Sequence, residues 1–345
     1  MKELSYKDSL KLDDPVYIDV RSPNEFSIDH IPGSINKPIF YNEERSEIGK
    51  IYRMQGKNDA IVKGIEMFGK RMSSYISDIQ NYGDRQIVIT CARGGMRSAS
   101  VTSLLDSLGM KVSKIKNGYK GYRQFVNERL NEISIKPALF VIQGLTGVGK
   151  TEIIKKFKNS IDLEGIAGHR SSVFGAMGLE QNSQKRFDSL LYNRIKECEN
   201  ERYIVIEGES RKIGNLQIPQ SIFAQMKASP SIIIEATIER RVDITLNEYM
   251  KDIDNEEVVR IVKSISTKIG KKNTDHLLNL FDKESYREFT EILLVKYYDP
   301  LYKHTLSKMD HISTVKHDNT DKAVREIKDS INTFLDENNI SSHKK

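Results

Sequence analysis

Residues Ala138-Leu139-Phe140-Val141-Ile142-Gln143-Gly144-Leu145-Thr146-Gly147-Val148-Gly149-Lys150-Thr151 decide the fold of the second half of the chain. The apolar run 138–143 reads as a buried strand. It ends in a glycine-rich turn, and Ile153, Ile154 and Phe157 follow at helical spacing. A strand, a glycine turn closing on Lys-Thr, and a helix together form a phosphate-binding loop. Its glycines let the backbone of Gly144, Thr146, Gly147, Val148 and Gly149 curl so that successive N–H groups face one anion. The helix N-terminus adds positive potential. Lys150 supplies a point charge to an outer phosphate, and Thr151 a hydroxyl for Mg²⁺. The loop asks for a diphosphate or polyphosphate. No adenine-binding signature accompanies it.

Working outward, 203–206 and 231–236 are further strand-like runs, and Pro137 marks a boundary near 133–137. The first of these runs ends in Glu207-Gly208-Glu209-Ser210-Arg211. That places Glu207 and Glu209 where a phosphate-loop protein holds the water shell of its metal. From about 239 the spacing is helical, over 240–250, 255–269, 273–281, 284–294 and 320–336, and the polar end 338–345 is expected to fray. Before the boundary, 16–20, 86–90 and 112–115 read as strands. Helical spacing runs through Ile61, Ile65, Phe68, Met72 and Ile76 across 58–82. Residues 97–108 read as a helix, and Gly118-Tyr119-Lys120-Gly121 as a turn. Strand–helix alternation predicts α/β architecture with parallel sheets. We expect a first domain over 1–133, a phosphate-loop α/β domain over 134–238, and a helical C-terminal region over 239–345.

The 345 residues suit about two domains, each able to bury its own core. Hydrophobic residues at 38% and charged residues at 30% exclude wholesale disorder. No apolar run reaches the ~18 residues of a membrane span, and no signal-peptide pattern opens the chain. The expected location is cytoplasmic, with no membrane partner. Cys91 and Cys198 are the only cysteines, which excludes a disulfide framework and a cysteine-based zinc cluster. The net charge of +6 divides as +4 over 1–133 and +2 beyond. So mild an excess permits a nucleic-acid partner without requiring one.

Cys91-Ala92-Arg93-Gly94-Gly95-Met96-Arg97-Ser98 follows the 86–90 strand and opens a helix. The dipole and free N–H groups of a helix N-terminus favour a thiolate there. Arg93 and Arg97 add positive charge. Gly94 and Gly95, with Met96 and Ser98, let the backbone wrap an anion or a transferred group. The loop reads as a nucleophile, Cys91, in an anion cradle, with Arg93 and Arg97 as its catalytic partners. Two chemistries use such a loop. A phosphatase takes a phosphoryl group on the thiolate, and a sulfurtransferase takes sulfur as a persulfide. The five residues between Cys91 and Arg97 match the phosphatase spacing. The sequence places no general acid for the leaving group. Cys198 has none of these features and reads as structural or incidental.

Asp19-Val20-Arg21-Ser22-Pro23-Asn24-Glu25-Phe26 and His30-Ile31-Pro32-Gly33-Ser34-Ile35-Asn36, followed by the cysteine loop, resemble the rhodanese domain. Asp19, at a strand end, is expected to pair with an arginine near the loop. The loop is one residue longer than in typical rhodaneses. In that it resembles related cell-cycle phosphatases, which implies a roomier pocket. A rhodanese domain followed by a phosphate-loop domain resembles the tRNA 2-selenouridine synthase family over about residues 15–310. Gly168-His169-Arg170-Ser171-Ser172-Val173-Phe174-Gly175 and Glu207-Gly208-Glu209-Ser210-Arg211-Lys212-Ile213-Gly214 belong to the same resemblance.

That resemblance implies a transferase acting on tRNA that carries 2-thiouridine at the wobble position of its anticodon loop. Geranyl diphosphate first alkylates the sulfur, and selenium from selenophosphate then replaces the geranylthio group. Both are co-substrates. Mg²⁺ is a candidate cofactor, and a selenophosphate-supplying enzyme a candidate partner. The 144–151 loop is then expected to bind geranyl diphosphate and the 91–97 loop selenophosphate, with Cys91 either taking selenium as a perselenide or positioning the selenophosphate. The opposite assignment stays open, as does a regulatory nucleotide. Glu207, Glu209, Arg211, His169, Arg170 and Ser171 are candidates for Mg²⁺ or tRNA contacts, and the helical region from 239 for a tRNA-binding lobe. Lys155, Lys156, Lys158, Lys185, Arg186, Lys212, Arg240, Arg241, Lys271 and Lys272 are candidates for phosphate contacts. Tyr249, Tyr297, Tyr298 and Tyr302 have the ring type that stacks on an extruded base. Two rivals are a Cys-dependent phosphatase fused to a kinase-like phosphate-loop domain, and a non-catalytic anion sensor. The intact Cys91 with its two arginines argues against the sensor.

Overall fold

The computed structural model describes residues 2–249 and 254–342. The chain divides into two compact units, Met1–Glu132 with Ser183–Asn193, and Ile133–Asn182 with Arg194–Lys345.

In the first unit, strands β1 (Lys2–Leu4), β2 (Val16–Asp19), β3 (Ile35–Asn36), β4 (Ile87–Thr90) and β5 (Val112–Ile115) form a parallel sheet in the order β1-β5-β4-β2-β3. The central strand β4 is buried along its whole length, as its unbroken apolar sequence requires for a strand covered on both faces. Ile18, Ile87, Ile89, Tyr75, Ile79 and Leu105 share the core around it. The 58–82 periodicity divides into two helices, Lys57–Gly69 and Met72–Gln80, preceded by a third, Asn42–Met54. Gly118 to Gly121, expected as a turn, instead starts the helix Gly118–Glu132. The reason is close approach: a Cβ on Gly118 would lie 2.1 Å from the Cys91 carbonyl oxygen.

In the second unit, β6 (Ala138–Gly144), β7 (Ser160–Ile161), β8 (Tyr203–Glu207), β11 (Ser231–Glu235) and β12 (Ser313–Lys316) form a parallel sheet in the order β12-β11-β6-β8-β7. A small antiparallel pair, β9 (Lys212–Ile213) and β10 (Leu216–Gln217), stands apart from it. Strand β12 lies inside the stretch read as mostly helical. Only Val315 of its four residues is buried, too little to show a period. The helix Thr320–Ser342 then sends Ala323, Val324, Ile327 and Ile331 into the core that holds Phe140 and Ile142. It carries the chain through 338–342, which were expected to fray. Residues 343–345, and Met250 of the helix expected over 240–250, lie outside the described residues. The helices between Ile238 and Leu306 close a second core on Val262, Leu277, Phe281, Phe289 and Leu294. Among the described residues no helix is long and apolar enough to cross a membrane.

Arg241, on the helix Ile238–Tyr249, is buried and grips both oxygens of the buried Asp299 at 3.2 and 2.6 Å. Removing one partner of such a pair strands the other charge out of water. Asp299→Ala should therefore lower the stability of the second unit by ~3–5 kcal/mol, read as an earlier urea midpoint.

Candidate functional site

Cys91 opens the loop that leaves the central strand of the first sheet. The backbone carbonyl of Cys91 accepts from the Tyr119 N–H at 2.8 Å, and that of Ala92 from the Lys120 N–H at 3.1 Å. The Gly94 carbonyl accepts from the Lys114 ammonium at 2.8 Å. In a planar trans peptide the carbonyl and the following N–H point in opposite directions. The amides of Ala92, Arg93 and Gly95 are thus turned away from these anchors. The three residues line a groove of about 870 Å³ together with Cys91, Met96 and Arg97. The Cys91 thiol lies 3.1 Å from the Ser98 hydroxyl, which donates to the Gly95 carbonyl at 3.2 Å.

The Arg97 guanidinium spans the two oxygens of Glu25 at 2.6 and 3.1 Å. Burial alone would raise the Glu25 carboxyl, but the Arg97 charge and hydrogen bond outweigh it, and the net shift is downward. The arginine that Asp19 pairs with is Arg21, which lies over the Tyr119 ring at 4.0 Å. Asp19 is fully buried and takes Arg21 in a two-pronged grip, with contacts of 2.7 to 3.0 Å. Glu25 reaches the loop because it sits in the first turn of the helix Pro23–Ile28, where its carboxylate also caps the Ser22 N–H at 3.2 Å.

The phosphate loop is anchored in the same manner. Arg241 Nε donates to the Thr146 carbonyl at 2.9 Å, and the buried His317 donates its Nδ1–H to the Val148 carbonyl at 2.7 Å. This turns the amides of Gly147 and Gly149 the other way. Gly149 stands at φ +84°, and a Cβ there would lie 2.5 Å from the His317 ring. Lys150 Nζ caps the Gly144 carbonyl at 3.2 Å. The Thr151 hydroxyl lies 2.8 Å from Glu207 Oε1 and 3.1 Å from Glu164 Oε2. Glu207 Oε2 accepts the Glu164 N–H at 3.0 Å. Burial pushes the Glu207 carboxyl well above its ordinary range, and the neighbouring Glu164 adds to this. Burial likewise pushes Glu209 up to about 7, against the pull of Lys150.

Gly144, Thr146, Gly147, Gly149, Lys150 and Thr151 line a pocket of about 320 Å³, with Glu164, Arg170, Ser171 and Glu209 on its other walls. Val148 faces the core instead. An apolar cavity of about 70 Å³ adjoins this pocket at Thr146, Thr245 and Tyr249. Phe174, Met177, Phe281, Phe289 and Leu293 wall it.

Of the other candidates, Arg170 donates to the carbonyls of Met177 and Glu248 and lies over the Tyr249 ring at 4.6 Å. The Ser171 N–H donates to Glu164 at 2.6 Å. His169 is buried beneath Gly175 and Gly214, outside the pocket wall, and burial lowers its pKa. Arg211 is exposed and also outside the wall. Arg241 is withdrawn as a phosphate contact, because Asp299 and Thr146 hold it inside the protein. Tyr297 and Tyr298 pack in the helical core, whereas Tyr249 and Tyr302 line the pocket. Among the described residues no group of three or more His, Cys, Asp or Glu side chains is arranged to hold a metal. Sequence reading missed Glu164 and His317. The only signal for either was an isolated acid and an isolated histidine.

The family described as "tRNA 2-selenouridine synthase AAA domain" matches residues 137–333, and "Rhodanese-like domain" matches residues 4–125. A tRNA 2-selenouridine synthase from Shewanella pealeana is 30% identical over 338 residues, covering 88% of this chain and 92% of its own length. One from Nitrosomonas eutropha is 36% identical over 248 residues, covering 69% of this chain and 63% of its own length. The crystal structure of an N-terminal domain from Clostridium difficile 630, named for ATP/GTP binding, is 43% identical. It covers 36% of this chain and 98% of its own, with a TM-score of 0.35.

Two substitutions separate loop shape from loop charge. Gly149→Ala forces a side chain into left-handed backbone against His317, so it should lower stability by at least ~1–2 kcal/mol and abolish binding of inorganic diphosphate. Lys150→Ala should keep the unfolding midpoint while weakening diphosphate about tenfold or more. Calorimetric titration and chemical denaturation check both.

Proposed function

The chain belongs to the tRNA 2-selenouridine synthase family, and we propose that it is a transferase that geranylates wobble 2-thiouridine at the phosphate loop and exchanges the geranylthio group for selenium at the cysteine loop. The observation that carries the reading is the junction at Thr146, Thr245 and Tyr249. There a cradle suited to a diphosphate meets a cavity walled by phenylalanine and methionine side chains. A nucleotide does not call for such a neighbour. A prenyl diphosphate does, and the first carbons of its chain fill a space of about 70 Å³.

In the first step the thiouridine sulfur attacks C1 of geranyl diphosphate. The C–S bond forms, the C–O bond breaks, diphosphate leaves and the N3 proton is released. Lys150 and the amides of Gly147 and Gly149 meet the charge that develops on the leaving diphosphate. Thr151 and the buried Glu207 are the residues that would hold Mg²⁺, since that ion binds through one or two carboxylates, substrate phosphates and waters. When bound, it would neutralise the same leaving group. Alkylation turns a poor thiocarbonyl leaving group into a thiolate that departs.

In the second step the selenium of hydrogen selenophosphate, held by Arg93 and the loop amides, attacks C2. The C2–Se bond forms, the C2–S bond breaks, and geranylthiol leaves with the selenophosphate proton. Water then cleaves the Se–P bond to give phosphate and 2-selenouridine. No atom changes oxidation state. A perselenide made on Cys91 from selenophosphate would have to expel phosphite or consume an oxidant. Electron balance therefore favours Cys91 as a group that positions selenophosphate.

Mass spectrometry of an anticodon stem-loop bearing wobble 2-thiouridine tests this. With geranyl diphosphate the RNA should gain a geranyl group, and with selenophosphate it should then exchange that group and its sulfur for selenium. Cys91→Ala should accumulate the geranylated RNA, with the second step slowed about a hundredfold. RNA left unchanged by the wild-type protein with both donors would overturn the reading. Release of phosphate from an aryl phosphate would then favour the phosphatase.

A further inference from the structure

Neither the anion cradle nor the phosphate loop accounts for the apolar wall above Cys91. Ile48 and Tyr52 on the helix Asn42–Met54, and Ile61, Ile65 and Phe68 on the helix Lys57–Gly69, recur at spacings of three and four. Each helix thus turns one apolar stripe toward the groove. Met96 closes the loop side. Phe68 also packs against the core, but the outer part of the wall is open: Ile65 is 65% exposed, Tyr52 57% and Met96 49%. The groove, about 870 Å³, is far larger than the pocket of about 320 Å³ at the phosphate loop. Arg45, Lys57 and Arg93 stand in the same lining. An apolar surface of this kind, rimmed by charge, marks a place that something covers.

Selenophosphate is small and anionic and would leave that wall in water. An unalkylated uridine offers one stacking face and no apolar limb. We propose that the groove binds the S-geranyl limb of the modified uridine, the leaving group of the second step, while Arg45 and Lys57 meet RNA phosphates. The inference rests on the two-step reading above. The electrophilic C2 sits at Cys91 and Arg93, and the ten-carbon chain runs along the two stripes. Geranylthiol then departs into apolar surroundings. The wall also sets the order of the reaction, because 2-thiouridine without the limb binds weakly at the selenium site and is not converted there.

Binding of fluorescent stem-loops to the full chain tests this, with S-geranyl-2-thiouridine, S-methyl-2-thiouridine or 2-thiouridine at the wobble position. Wild type should bind the geranyl form about tenfold or more tightly than the methyl form. Ile65→Glu, whose carboxylate stays in water, should erase that preference and slow selenation of the geranylated RNA about tenfold. Ile65→Leu should retain both. Geranylation by Ile65→Glu should keep its wild-type rate, which separates loss of the groove from loss of the fold. Equal affinity of wild type for all three RNAs, or wild-type selenation by Ile65→Glu, overturns the assignment and leaves the wall as a docking face for another protein. A wild-type chain that cannot selenate the geranylated RNA overturns the two-step reading, and the groove assignment with it.

Discussion

A chain that leaves the middle strand of a parallel sheet and turns at once into a helix exposes several amide N–H groups with no partner in either element. In this protein that happens twice, after β4 and after β6, and both sites depend on it. What makes the amides usable is where the neighbouring carbonyls go. Tyr119, Lys120 and Lys114 hold those of the cysteine loop, and Arg241 and His317 hold those of the phosphate loop. Each anchor turns a peptide plane, and each turned plane points the following N–H away from the anchor. The loops are therefore held by residues that lie outside the linings of both pockets.

The two loops differ in the charge behind them. Arg97 of the cysteine loop is matched by Glu25, so Arg93 and the amides supply the loop's uncompensated positive potential. Behind the phosphate loop Glu164, Glu207 and Glu209 crowd together, with the Glu207 and Glu209 carboxyls shifted upward by burial. Burial, with that crowding, is what raises them, and it sets the phosphate loop apart from the arginine-lined cysteine loop. The apolar surfaces differ too. The one beside the phosphate loop is a small cavity among core side chains, and the one above Cys91 is an open groove. A chemistry in which a prenyl group arrives on a diphosphate and later leaves on sulfur gives each surface an occupant.

The central strands are legible in the sequence because burial on both faces leaves them apolar without interruption, and both loops because glycine, lysine, threonine, cysteine and arginine stand at fixed offsets. What escapes reading is contact across long stretches of chain. Glu25 meets Arg97 across 72 residues, and His317 meets Val148 across 169, with no local pattern to announce either. Strand β12 escapes for another reason: four residues with one buried side chain carry no period. The Gly118–Gly121 pair misleads because glycine marks both chain reversal and close approach, and only the position of the Cys91 carbonyl distinguishes them.

The central claim is that the two loops perform separate halves of one reaction. Its most direct test is to give the Lys150→Ala protein a stem-loop that already carries S-geranyl-2-thiouridine, together with selenophosphate, and to follow selenium incorporation by mass spectrometry. The account predicts conversion at the wild-type rate, because the phosphate loop has no part left to play. If Lys150→Ala, folded as wild type, fails to selenate this RNA, the second half of the reaction needs the phosphate loop and the division is wrong.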